Sequence, residues 1–146
     1  MFGKYKQKTI RFVQIPESPM AYWLPVNILD GLALGENLKS IAAVTEGLHT
    51  GNNSRFVRSN WEILIPDNQE WVPYYKTGGS NKWTGLNQSI VRWDDGGQRI
   101  RNNGKAIIPN QSYYFNEGIN FSDVAQGNLA VREFDLPGIF SSVCHG

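Results

Sequence analysis

The sequence predicts an α+β fold: mostly β beyond residue 40, with an irregular antiparallel sheet, many loops and a short N-terminal helical segment. Three observations predict it. Beyond residue 40 the apolar runs shorten, and Gly, Asn, Ser and Thr become frequent. Those short runs are rich in β-branched and aromatic residues and end at turn formers, which is how strands read. Residues 26–34 (VNILDGLAL) lie between Pro25 and Gly35, a setting that suits a helix. A run of strands preceded by one helical piece is the pattern of an α+β domain.

In chain order, residues 9–15 (TIRFVQI) read as a strand ended by Pro16. Ser18 is a plausible N-cap with Pro19 at the first helical position, so residues 20–24 form a helical turn that Pro25 interrupts. The piece at 26–34 follows, closed by Gly35. Residues 41–45 read as a strand, followed by the turn-rich loop 46–54 (EGLHTGNNS). Strands are expected at 55–58 and 61–65, with Pro66-Asp67-Asn68 as the next turn. Residues 71–76 and 89–93 follow as strands. Asp94 is placed to cap a short helix over 94–103, which Gly96-Gly97 weakens. Strands at 112–115, 118–121, 130–134 and 139–143 complete the chain.

At 146 residues the chain is one domain with room for a core, and its net charge is +1. That total hides two basic regions. Residues 1–11 carry Lys4, Lys6, Lys8 and Arg11 without an acid, and residues 76–105 carry six basic residues against Asp94 and Asp95. The single cysteine, Cys144, excludes an internal disulfide framework and fits a reducing cytoplasm. No signal peptide or membrane span is expected, because no suitable apolar stretch occurs. The chain stops directly after a strand candidate without a polar tail, as a piece of a longer chain would.

Enzyme motifs are largely missing. There is no Gly-rich phosphate loop, no His-Glu-x-x-His and no Gly-x-Ser-x-Gly elbow. His49 has no evident partner for base catalysis, and Cys144-His145 reads as a terminus rather than a metal site. The informative stretch is 71–93 (WVPYYKTGGSNKWTGLNQSIVRW). It holds three of the five Trp, two of the six Tyr and three cations without an acid. Flat rings stack on bases or sugars, amides and Arg read base edges, and Lys meets phosphate. The plainer reading is a hairpin whose aromatics, Trp71, Trp83 and Trp93, are core.

Several pieces, in order, resemble one family. Residues 11–24 (RFVQIPESPMAYWL) look like the segment that follows the catalytic domain in large adenine-specific DNA methyltransferases. These are the PglX-type enzymes of bacterial phage-defence (BREX) systems and the related fused type IIG restriction–modification enzymes. Residues 46–58 (EGLHTGNNSRFVR) are similar to their Gly-Leu-x-Thr-Gly-x-Asn-x-x-Phe pattern, at Gly47, Leu48, Thr50, Gly51, Asn53 and Phe56. Trp61-Glu62, residues 71–83, Val91-Arg92-Trp93, residues 94–100 and residues 112–127 continue the resemblance.

The resemblance implies a target-recognition segment downstream of a methyltransferase core. Residues 1–40 would connect to that core, and 41–146 would be part of a β-rich recognition domain. The parent would be an S-adenosylmethionine-dependent enzyme. This chain carries no Pro-Pro of the family's base-holding motif, so it is expected to hold no cofactor and to be inactive alone. Its expected partners are double-stranded DNA and other phage-defence subunits, with no membrane, in the cytoplasm. Lys76, Lys82, Arg99, Arg101 and Lys105 are candidates for phosphate, and Asn81, Gln88 and Arg92 for base edges. His49, Thr50, Asn52, Asn53 and Arg55 are candidates from the 46–58 loop. Gly47, Gly51, Gly78 and Gly79 would let backbone amides approach phosphate. Two rival readings stand beside this one, a carbohydrate-binding β-module and a protein-docking lobe.

Overall fold

The computed structural model describes residues 10–13, 15, 18, 20–63, 70–76, 81–122, 130–141 and 144–145. The chain divides into two units, Met1–Ala42 and Ala43–Gly146.

The first unit is helical. It contains α1 (Ile10–Val13), α2 (Val26–Leu34) and α3 (Leu38–Ile41). Within the stretch 9–15, expected as a strand, Ile10–Val13 is instead a helical turn. Phe12 and Ile15 are three apart, so a helical turn puts both on one side, and they bury in one cluster with Leu29. A strand would have put them on opposite faces. α2 forms as expected, and the carbonyl of Pro25 accepts from the amides of Ile28 (3.1 Å) and Leu29 (3.2 Å). The helix start expected at Ser18 is not used. Ser18 has φ +49°, and α2 begins after Pro25. In place of a strand at 41–45, Ile41 closes α3, where the Asn37 side chain accepts from the Lys39 amide at 3.0 Å. Tyr22 and Trp23 are exposed, and their rings meet edge to face with centres 5.1 Å apart.

The second unit begins with the loop that leads to α4 (Asn53–Phe56) and β1 (Val57–Ser59). After a 3-10 turn at Asn60–Glu62 come β2 (Trp71–Tyr75) and β3 (Ser89–Arg92). A 3-10 turn at Asp94–Gly97 precedes α5 (Gln98–Arg101), and another lies at Gln111–Tyr113. The last strands are β4 (Ile119–Ser122), β5 (Val131–Glu133), β6 (Ile139–Phe140) and β7 (Cys144–His145). One sheet has the order β1-β3-β2-β6, with β2 and β6 parallel and its other pairs antiparallel. The other, antiparallel, has the order β5-β4-β7. The fold is α+β with irregular sheets.

The core of this unit joins Leu48, Phe56, Tyr74, Tyr75, Val91, Trp93, Ile100, Tyr114, Ile139 and Phe140. Aromatic rings knit it together. Tyr75 stacks on Phe134 at 4.4 Å, and Tyr114 meets Trp93 (5.6 Å) and Phe140 (5.5 Å) edge to face. Such pairs add about 0.5–1.5 kcal/mol each beyond their burial.

The strands expected at 71–76, 89–93, 118–121 and 130–134 are β2, β3, β4 and β5. Four expectations differ. Residues 55–58 begin as helix because the Asn52 carboxamide oxygen accepts from the Arg55 amide at 3.1 Å and nucleates α4. Of residues 112–115, Ser112 and Tyr113 lie in the 3-10 turn Gln111–Tyr113, which starts from Asn110 at φ +51°, and the next two residues continue as a turn. The helix over 94–103 is broken by positive φ at Asp95, Gly96 and Gly97, and its regular part starts at Gln98. Of the stretch 61–65, the residues through Glu62 form the 3-10 turn and 64–65 lie outside the described residues, as do Pro66-Asp67-Asn68, Gly78-Gly79, residues 142–143 and the three N-terminal lysines. No helix among the described residues is long and apolar enough to cross a membrane.

Candidate functional site

The loop 46–56 is pinned from several sides. The Leu48 amide donates to the Phe140 carbonyl at 2.8 Å, and the Tyr74 hydroxyl donates to the Leu48 carbonyl at 2.8 Å. His49 and Ile107 exchange two backbone hydrogen bonds of 2.9 Å. Thr50 is buried; its hydroxyl donates to Asn53 Oδ1 (2.6 Å) and accepts from the Asn52 amide (3.2 Å). Gly51 has φ +68°, and a Cβ there would lie 2.6 Å from the Lys105 carbonyl. Only glycine allows that approach. The result sets the exposed side chains of His49, Asn53, Arg55 and Lys105 on neighbouring stretches of backbone. Asn53 spends its carboxamide oxygen on Thr50, so its Nδ2 is what remains to meet a ligand.

A second cluster forms around Asp94. Its carboxylate is buried and takes Arg99 Nε at 2.6 Å on one oxygen and Arg92 Nε at 3.4 Å on the other. Arg92 Nη2 also reaches Glu70 Oε2 at 3.2 Å. Arg92 is thus held between two carboxylates rather than offered freely to a base edge. Asp94 serves this cluster instead of capping a helix, since Trp93 takes the cap position without a side-chain bond. Glu70, Trp71, Asp94, Asp95, Arg99 and Phe115 are among the residues lining an open groove of about 750 Å³ beside it. Arg101, on the same short helix as Arg99, donates to Gln111 Oε1 at 2.6 Å and to the Gly96 carbonyl at 3.2 Å.

Lys76 stands elsewhere. Its ammonium lies 6.0 Å from the Tyr74 ring centre, in a groove of about 340 Å³ shared with Asn53, Ser54, Arg58 and Ser89. Arg58 is a cation that sequence reasoning left out. It donates to the Ser54 carbonyl at 2.6 Å and lies 3.8 Å from Glu62. Its place beside Phe56 in residues 46–58 was the available signal. Gln88 is exposed just before β3, and its carbonyl accepts from the Asn60 amide at 2.8 Å.

Residues 81–83 form a third element. Asn81 and Lys82 are exposed, and the Asn81 carbonyl accepts from Arg132 Nη1 at 2.8 Å. Of the three tryptophans read as core, Trp93 is buried and Trp71 half-buried, but Trp83 is 73% exposed. Among the described residues, Arg55, Lys76, Lys82, Arg101 and Lys105 form no ion pair. Burial pushes the phenols of Tyr75 and Tyr114 above the ordinary tyrosine range; the backbone of Leu136 opposes the first shift and the charge of Arg101 the second.

The structure therefore brings most of the candidates together in three places. His49, Asn53, Arg55 and Lys105 share the braced loop, and Arg92 and Arg99 share Asp94. Lys76 joins the loop through the groove it shares with Asn53, while Asn81 and Lys82 sit over β5.

No family model matches the sequence. The chain is similar to "Adenine-specific methyltransferase PglX" of Lacticaseibacillus casei (strain Zhang), with 30% identity over 158 aligned positions, 94% of this chain and 13% of that protein. It is similar to "Adenine-specific methyltransferase BrxX" of Escherichia coli O9:H4 (strain HS), with 30% identity over 129 positions, 83% of this chain and 10% of that protein. The chain thus spans a small part of the curated relatives it matches. With that identity over most of its length, the chain matches a segment of the PglX and BrxX adenine-specific methyltransferases.

Proposed function

We propose that this chain is a DNA target-recognition segment of an adenine-specific DNA methyltransferase that acts in phage defence. The observation that carries the reading is the braced loop. Thr50, Gly51 and Asn103 hold it so that His49, Asn53 and Arg55 stand beside Lys105, with Lys76 across a groove. Arg55, Lys76 and Lys105 form no ion pair among the described residues, which leaves them open to phosphate; the carboxylate on the wall of the Lys76 groove, Glu62, is paired with Arg58. Lys82 and Arg101 extend the positive surface. Arg99 and Arg92 position the groove beside Asp94 and reach DNA only by sharing or exchanging that carboxylate. Asn81 and Gln88, both exposed, are the amides assigned to base edges.

Methyl transfer itself, with its S-adenosylmethionine, is assigned to the remainder of the longer protein. Residues 1–40 are read as the connector to that part. The apolar side chains that α2 leaves exposed, Val26, Ile28, Leu32 and Leu34, support this connector role. Changing Ile28 and Leu32 to Ser is expected to weaken co-purification with a separately expressed methyltransferase core and to leave DNA binding unaltered.

The test of the main reading is a titration of the chain with random-sequence duplex DNA at two salt concentrations. Phosphate contacts release counterions, so log K should fall steeply with log[salt], by about 0.9 for each phosphate neutralised. A folded chain that shows no binding at low salt refutes the reading.

A further inference from the structure

Residues 81–83 carry two features that packing alone does not explain. Trp83 has φ +75°, a left-handed backbone that is a genuine outlier for a bulky side chain, and it exposes 73% of its surface. Beneath it, Arg132 is 1% exposed, yet its Nε and Nη2 have no hydrogen-bond partner. No carboxylate pairs with Arg132 among the described residues. Its cross-strand neighbour Asn120 is also buried, with Oδ1 unpartnered.

These features are joined. The Trp83 amide donates to the Val131 carbonyl at 2.8 Å, and the Glu133 amide donates to the Trp83 carbonyl at 3.1 Å. Arg132, between those two residues, donates from Nη1 to the Asn81 carbonyl at 2.8 Å. Three hydrogen bonds therefore fix the segment on both sides of the strained residue. Strain of this kind persists only where its surroundings over-determine it, and it collects at ligand contacts. The residue so held is an indole that faces outward beside an exposed lysine.

We propose that Trp83 is an aromatic contact of the DNA site, which stacks on the face of a nucleobase laid open by local unstacking, and that Arg132 is the positioning residue that holds it outward. This rests on the DNA reading above. Every base presents a π-face, so the contact tolerates any sequence, and Lys82 beside it suits the adjoining phosphate. Arg132 acts through the Asn81 carbonyl and touches no DNA.

The test compares wild type, Trp83→Ala, Trp83→Phe and Arg132→Lys by fluorescence anisotropy. The probe is a duplex with one unpaired base, and circular dichroism checks folding. Trp83→Ala should weaken binding by roughly 5- to 100-fold, the range that removal of one base–aromatic stack gives, with the salt slope unchanged. Trp83→Phe should keep most of the affinity. Arg132→Lys should show faster hydrogen exchange at the Trp83 and Glu133 amides. It should also weaken DNA binding in wild type but not in the Trp83→Ala background.

Unchanged affinity in Trp83→Ala would overturn the stacking role and point to an indole that packs on another part of the longer protein. A loss accompanied by a shallower salt slope would overturn it in favour of a phosphate contact. Additive losses from Trp83→Ala and Arg132→Lys would overturn the positioning role. A wild-type chain that binds no DNA removes the DNA reading itself, while the exchange measurement still reports whether Arg132 holds the segment. Trp83 is exposed, so its variants keep the test open if Arg132→Lys does not fold.

Discussion

Gly51→Ala tests whether the braced loop is as tight as its geometry. Gly51 has φ +68°, and a left-handed backbone costs alanine about 1–2 kcal/mol. The added Cβ would also lie 2.6 Å from both the carbonyl carbon and the oxygen of Lys105. Those are backbone atoms, and they cannot swing aside as a side chain would. Relieving the overlap should add about 1–3 kcal/mol, as overpacking does. Alanine lowers the entropy of the unfolded chain and returns about 0.4–1 kcal/mol. The net expectation is a loss of about 2–4 kcal/mol.

Gly104 provides the control. Its φ is +66°, and a Cβ there meets nothing within 4 Å. Gly104→Ala therefore bears the same backbone strain without the overlap and should lose about 1 kcal/mol or less. Urea unfolding of both variants with a common slope m gives the difference directly. In a melting experiment Gly51→Ala should drop by roughly 5–15 °C. Equal losses in the two variants would refute the reasoning, because they would mean that the loop does not press on the Lys105 backbone.

Asp94→Ala leaves the buried Nε of Arg92 without its nearest carboxylate. Glu70 still holds Arg92, and Arg99 is largely exposed, so the expected loss in urea unfolding is about 1–3 kcal/mol, below that of breaking a fully buried pair. Arg55→Ala and Lys105→Ala should each leave stability within about 0.5 kcal/mol and reduce the salt slope of DNA binding by about 0.9. The phenols of Tyr75 and Tyr114 hold their protons longer in the folded chain than in the unfolded one. Above about pH 10 the unfolded state therefore binds fewer protons, and stability should fall as pH rises. Tyr114→Phe should flatten that fall in urea midpoints measured up to about pH 11.

Local pattern carried much of the fold into the sequence. Short strands with β-branched and aromatic residues marked β2, β3, β4 and β5, and Pro25 with Gly35 marked α2. Where the expectation differed, a short-range side chain or a tertiary cluster decided. Asn37 and Asn52 each accept from an amide and start a helical turn that runs into a stretch read as a strand. Phe12 and Ile15 gain a helical turn because their cluster with Leu29 lies on one side. The candidate cations were visible as charges, but their engagement was not. Whether Arg92 is free depends on Glu70, and the meaning of Arg132 depends on Asn81, far away in sequence. One clue was present: alternation in the strand puts Arg132 on the same face as Ala130 and Phe134, an apolar face for a cation.

The parallel pairing of β2 with β6 sets an order of events in folding. β2 and β3 meet across a short connection, whereas Tyr74 pairs with Ile139 only after a long loop closes. Long-range closure has an entropy cost that must be met before the contacts reward it, so this step is expected late. The braced loop inherits that delay, since Leu48 hangs on the Phe140 carbonyl. A Val91→Ala change, in the early pair, should slow refolding, while Ile139→Val should mainly speed unfolding, as stopped-flow chevrons would record. The surface that carries His49 and Arg55 is thus the part of the molecule that ripens last, and a half-folded chain would carry its charges without their arrangement.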